Sequence, residues 1–151
     1  MPKTLILYGT LTGNTELAAK GLAQRLGAGA LYNVRDISPT AVATYSHIIF
    51  GTSTWDDFGN PDTEDFLNKM AQDGPDLSYC RFAFFGLGDS AYQNFCGAVD
   101  LAKQGIGQRG GVLYPDTFTI DGYPEDDTMD SLAEWAHKFL ETPLIERETK
   151  I

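Results

Sequence analysis

The sequence predicts an α/β protein, a three-layer, doubly wound parallel sheet of five strands with helices on both faces. Short apolar runs bounded by glycine or proline alternate along all 151 residues with stretches whose apolar positions recur at helical spacing. Neither a linker nor an internal repeat interrupts this alternation, so residues 1–151 read as one domain. A chain of this length buries about two-thirds of its unfolded surface, enough for one core. Strands separated by helices pair in parallel through right-handed crossovers. Ligands of such sheets bind outside the carboxyl ends of the strands, near the point where strand order reverses.

Taking the elements in order, Leu5-Ile6-Leu7-Tyr8 is too short for a helix and runs into a loop of glycines and hydroxyls, Gly9 to Thr15. Ala18, Gly21, Leu22 and Leu26 then form a helical stripe, which places a helix start at Gly13 or Asn14. A second strand is predicted over Ala30–Asp36, and Ser38-Pro39 opens a turn or short helix. His47 to Gly51 is the third strand, followed by a loop from Thr52 to Pro61. The helix from about Asp62 carries Phe66, Leu67, Met70 and Ala71, with Asp62, Glu64 and Asp65 suited to its N-terminal turn.

Arg81 to Gly86 is the fourth strand, with a glycine loop after it and a helix from about Asn94 to Gln108. Gly105, Gly107, Gly110 and Gly111 are expected to fray that helix. A last strand falls within Gly111–Ile120. Pro124 to Asp127 then starts a helix whose apolar face is Met129, Leu132, Ala133, Ala136 and Leu140.

The first loop is the most informative. A helix starting at its end directs unpaired N–H groups and the positive end of its dipole into the loop, which suits an anion. Thr10, Thr12, Asn14 and Thr15 add neutral donors, and nothing between Tyr8 and Ala19 is basic. The spacing Gly9-x-x-x-Gly13-Asn14-Thr15 is one residue short of a nucleotide-triphosphate loop and has Asn in place of its lysine, which argues against triphosphate hydrolysis. The third loop sets Trp55 among small polar residues, and the fourth does the same for Tyr92. Two aromatic rings beside a phosphate seat suit a flat heterocycle held between them. The G-x-G-x-x-A spacing from Gly86 to Ala91 follows the fourth strand, where a dinucleotide fingerprint would follow the first, and it sets Asp89 against the would-be pyrophosphate.

Net charge is −10, which argues against nucleic acid or an anionic membrane and for basic protein partners. No run reaches the roughly 18 apolar residues of a membrane span, and no apolar leader precedes the first strand, so membrane insertion is not expected and a cytoplasmic monomer is. Cys80 and Cys96 form no metal or redox pattern, and His47 and His137 stand apart from any ligand cluster, so structural roles are expected for them.

Leu7-Tyr8-Gly9-Thr10-x-Thr12-Gly13-Asn14-Thr15-x-x-x-Ala19-x-x-Leu22 resembles the phosphate-binding signature of the flavodoxins. Ser53-Thr54-Trp55 resembles that family's first flavin-stacking loop, and Gly88-Asp89-Ser90-x-Tyr92 with Phe95 to Asp100 its second. The absence of a long insertion in the last strand matches the short-chain members. The resemblance implies strand order 2-1-3-4-5 and a non-covalently bound FMN. Its phosphate would be held by Thr10, the backbone of Leu11, Thr12, Gly13, Asn14 and Thr15. The isoalloxazine would lie between Trp55 and Tyr92, with Ser53, Thr54, Asp56, Asp57, Gly88, Asp89, Asn94, Phe95 and Cys96 around it.

The implied function is a low-potential one-electron carrier working between semiquinone and hydroquinone. Its partners would be basic-surfaced redox proteins, a flavoprotein reductase as donor and a low-potential enzyme as acceptor. A regulatory FMN-binding module and a small flavoenzyme are the alternatives, but no acid/base pair or activated nucleophile accompanies the stacking loops. Asp56 stands where short-chain members often have a glycine whose peptide flips toward flavin N5. A side chain there makes the flip costlier by about 1 kcal/mol, worth roughly 40 mV in a one-electron couple. Acids near the reduced flavin depress its potential, since one carboxylate about 10 Å away at a dielectric near 20 repels a unit charge by roughly 1.7 kcal/mol. Asp56, Asp57, Asp62, Glu64, Asp65, Asp89, Asp121, Glu125, Asp126 and Asp127 are expected to form a negative rim there.

Overall fold

The computed structural model describes residues 3–9, 13–27, 29–53, 61–88 and 97–146. In chain order the elements are β1 (Thr4–Gly9), α1 (Asn14–Leu26), β2 (Ala30–Asn33), α2 (Pro39–Val42), β3 (His47–Ser53), α3 (Pro61–Asp73), β4 (Arg81–Gly88), α4 (Gly97–Gln108), β5 (Val112–Leu113), β6 (Phe118–Asp121) and α5 (Asp126–Leu140). The strands pair in parallel in the order β2-β1-β3-β4-β5, with β6 also on β4. That is the 2-1-3-4-5 order the resemblance implied.

Strand alternation builds two cores. Leu5, Leu7, Ile48, Phe50, Phe82 and Phe84 face α3 and α4, while Ile6, Tyr8, Ile49, Ala83, Phe85 and Leu87 face α1 and α5. The helices answer with the predicted stripes: Ala18 and Leu22 of α1, Phe66, Leu67 and Met70 of α3, and Met129, Leu132, Ala133 and Ala136 of α5 are buried. Ala71 is exposed, and Phe139 rather than Leu140 completes the stripe of α5. Gly51 lets the Phe85 ring lie flat across β3, where a Cβ would overlap the ring.

Four sequence expectations need correction. The second strand stops at Asn33, whose side chain accepts the Arg35 N–H (3.0 Å) and starts a turn of 3₁₀ helix over Val34–Asp36. The third and fourth strands run on to Ser53 and Gly88, because the ladder pairs Thr52 with Gly86 and Ser53 with Leu87. The last strand is split: β5 pairs with Arg81 and Phe82, β6 with Phe85 to Gly88, and the interruption contains Pro115, which has no N–H to donate. Gly105 and Gly107 do not fray α4, which continues to Gln108. Gly105 serves packing, since a Cβ there would sit 3.0 Å from Leu67 Cδ2 of α3.

Candidate functional site

The carboxyl ends of β1, β3, β4 and β6 end side by side. Gly9 is level with Thr52, Thr52 with Gly86, and Gly88 with Asp121. Gly122 N–H donates to the Gly88 carbonyl (2.9 Å), which brings the β6–α5 connection against the end of β4. Strand order reverses at β1, so the mouth of the fold lies between β1 and β3.

The N-terminus of α1 points into that mouth. Gly13 takes a left-handed conformation (φ 95°), which glycine adopts without steric penalty, and no side chain caps the helix. Its carbonyl accepts the Leu17 N–H (3.0 Å), so the preceding amides of the first turn have no intrahelical acceptor. Thr15 is completely buried, and its hydroxyl has no hydrogen-bond partner among the described residues. An orphaned buried hydroxyl costs about 1–3 kcal/mol. A phosphate oxygen at the helix N-terminus would accept from it, so the residues present fit the phosphate of FMN.

The floor of the mouth is closed by two buried threonines. Thr52 at the end of β3 and Thr63 in the first turn of α3 share a hydroxyl–hydroxyl bond of 2.8 Å, which ties that helix to the sheet. Gly9 lies against this pair, and a Cβ on it would overlap the Thr63 hydroxyl. Ser53, the last residue of β3, is also fully buried.

The basic groups nearest the mouth are already committed to carboxylates. Glu16 lies 2.9 Å from Lys20 and accepts the Tyr8 phenol (3.2 Å), while Arg35 is 3.4 Å from Asp62. The hydrogen bond from Lys20 holds the Glu16 carboxyl below its ordinary range, and Glu16 in turn raises Lys20. Burial first, and the Glu16 charge second, push the Tyr8 phenol up. An anion bound at α1 would therefore rely on backbone and hydroxyl donors.

Of the predicted site residues, the structure brings Gly13, Asn14 and Thr15 together at the α1 N-terminus, and places Ser53 and Gly88 inside strand ends rather than in loops. Thr10, Leu11, Thr12, Thr54, Trp55, Asp56, Asp57, Asp89, Tyr92, Asn94, Phe95 and Cys96 lie outside the described residues. Sequence reasoning missed Gly9, Thr52 and Thr63, although a glycine closing an apolar strand is a signal of close approach. The structural role expected of His47 holds, as it is buried in hydrogen bonds with Ser46 and Thr142. Among the described residues no cluster of His, Cys, Asp or Glu could hold a metal ion, and no helix is long and apolar enough to cross a membrane.

The sequence profile of the flavodoxin family matches residues 6–135. A probable flavodoxin of Bacillus subtilis is 37% identical over 145 residues, covering 92% of this chain and 95% of that protein. A flavodoxin of Maridesulfovibrio salexigens is 37% identical over 135 residues, 85% of this chain and 92% of the relative. The crystal structure of oxidised Flavodoxin 2 from Bacillus cereus superposes with a TM-score of 0.82 at 31% identity, covering 92% of this chain and 98% of that one. Strand order, an uncapped helix at the switch point and these likenesses agree: the chain belongs to the flavodoxin family of FMN-binding electron carriers.

Proposed function

We propose that the chain is a single-domain, monomeric carrier that moves one electron at a time at low potential, and that it converts no small substrate by itself. FMN supplies the redox chemistry when bound, and the protein supplies binding, orientation and electrostatics. Gly13, Asn14 and Thr15 hold the phosphate, together with Thr10, Leu11 and Thr12. Trp55 and Tyr92 cover the ring faces. Ser53, Thr54, Asp56, Asp57, Gly88, Asp89, Asn94, Phe95 and Cys96 border the ring and the ribityl chain. Its partners are a flavoprotein reductase as donor and a low-potential enzyme as acceptor, both with basic surfaces.

The observation that carries this reading is the buried Thr15 hydroxyl without a partner among the described residues, on the turn whose amides also face the mouth. A hydrogen bond to a charged group is worth about 1.5–3 kcal/mol. Thr15→Val keeps the shape and removes that donor. We expect it to weaken FMN about 10- to 100-fold, with riboflavin, which lacks the phosphate, nearly unaffected. Equal weakening of both ligands would overturn the assignment of Thr15. Failure of the purified wild-type chain to bind FMN at micromolar concentration would overturn the whole reading.

A further inference from the structure

The mouth has two acidic flanks, and the structure treats them differently. On the α3 flank, Asp62 and Asp65 are ion-paired with Arg35 (3.4 Å) and Lys69 (3.3 Å), so three carboxylates with Glu64 face two cations. On the other flank, where β6 passes into α5, the carboxylates of Glu125, Asp126, Asp127 and Asp130 crowd into six residues without a Lys or Arg. Among the described residues, Arg25 of α1 reaches two of them, 3.2 Å from Asp130 and 4.0 Å from Asp126. Asp126 is fully solvent-exposed and Asp130 three-quarters so. Among the described residues, four carboxylates on this flank thus face one cation.

The same flank carries exposed apolar surface. Between α1 and the β6–α5 connection lies a recess of about 400 Å³, with Leu17 and Tyr123 on its rim and Met129 at its base. Leu17 is 45% and Tyr123 56% exposed, among the largest apolar exposures of the described residues. Gly21 lets the helices close beneath it, since a Cβ there would meet Met129 Cε at 2.9 Å. Gly122 turns the chain at φ 80° directly after β6, which sets Tyr123 beside the strand ends of the mouth. The α3–α4 groove also exposes Leu101, but Glu64 is the one charged side chain among those lining it, beside the uncharged Asn68, Gln104 and Gln108, and it offers a basic partner less charge to read.

We propose that the α1/β6–α5 recess is the docking surface for the electron-transfer partner. Its occupant is a basic redox protein that seats an aliphatic or aromatic side chain between Leu17 and Tyr123, ringed by Lys or Arg facing Glu125, Asp126 and Asp127. The inference rests on the electron-carrier reading above and adds the place of contact. An excess of carboxylates steers a basic partner in, and an amphipathic aromatic beside a concavity is the kind of residue that anchors an interface.

The test is stopped-flow transfer of one electron from the reduced FMN-loaded protein to the ferric haem of cytochrome c, a small basic redox protein, across a salt series. Tyr123→Ser and the double variant Asp126→Asn/Asp127→Asn are each expected to slow the second-order rate about three- to tenfold at low salt. Glu64→Gln on the α3 flank should stay within about twofold of wild type. Circular dichroism and unchanged midpoint potentials for Tyr123→Ser separate docking from folding or driving force. Wild-type rates in both flank variants, with the wild-type salt dependence intact, would overturn the location and leave the basic-partner reading standing. A wild-type rate indifferent to salt would overturn both.

Discussion

The two ends of the parallel sheet are built to opposite rules. At the amino end the chain satisfies itself. His47, at the start of β3, is fully buried, donates from Nε2 to the Thr142 carbonyl (2.9 Å) and meets the Ser46 hydroxyl through Nδ1 (3.0 Å). Ser46 also accepts the Lys3 N–H (2.8 Å), and Arg81 at the start of β4 donates to the Pro143 carbonyl (2.6 Å). Phe139 closes the cluster edge-on against the imidazole (5.3 Å). At the carboxyl end, by contrast, α1 begins without a side-chain cap and Thr15 buries a hydroxyl with no partner among the described residues. One end holds the fold together and the other keeps donors in reserve, so stability and ligand affinity should respond to different substitutions.

The sharpest way to break this division is His47→Ala. It removes a buried ring and two hydrogen bonds, and should cost about 3 kcal/mol of unfolding free energy while leaving the FMN dissociation constant within about twofold. Urea denaturation read beside flavin titration decides it. A large loss of affinity in this variant would show that the two ends are coupled.

Gly9→Ala acts at the other end. The new methyl overlaps the Thr63 hydroxyl, so either α3 shifts or the Thr52–Thr63 bond breaks. Overpacking of this kind costs about 1–3 kcal/mol, and here FMN affinity should fall along with stability. Adding Thr63→Ser, which trims the crowded side chain, should restore part of both, as measured by the same pair of titrations.

The smallest expected effect is a pH dependence that sharpens the contrast. Burial, the largest influence, holds the His47 imidazole below its ordinary value of 6.5, and the Arg81 charge adds to this against the opposing hydrogen bond to Thr142. The unfolded chain thus takes up this proton at a higher pH than the folded one. Stability should be full above the unfolded pKa and decline as pH falls through 6.5 toward the folded value, with a slope under about 1.4 kcal/mol per pH unit. The difference between wild type and His47→Gln in urea midpoints between pH 7.5 and 5.5 isolates this contribution, and parallel curves would remove His47 as its source.

The alternation of strands and helices and the helix start at Asn14 behind the Gly13 turn were readable in sequence, because each follows from apolar periodicity or from glycine chemistry over a few residues. Strand ends were not. Thr52, Ser53 and Gly88 have no apolar signal, and they extend β3 and β4 only because each strand finds a partner on both sides. The split of the last strand escaped notice for a similar reason, since Val112 and Leu113 form a two-residue strand defined by β4 and not by their own pattern. Gly105 shows the reverse error: a glycine read as weakness is the contact at which two helices meet. The Thr52–Thr63 pair joins residues eleven apart in the chain, a proximity that composition and spacing do not encode.

The interrupted lane of the sheet has a further consequence for a molecule that must collide often and adhere rarely. Its outer borders are β2 with four residues on one side and β5 and β6 with two and four on the other, the latter broken by a stretch containing Pro115. Among the described residues no border offers another molecule more than four consecutive residues to zip onto, which disfavours edge-to-edge aggregation. Concentrated storage should therefore find this chain reluctant to grow into fibrils, even though Tyr32 on one border and Val112 and Leu113 on the other are exposed.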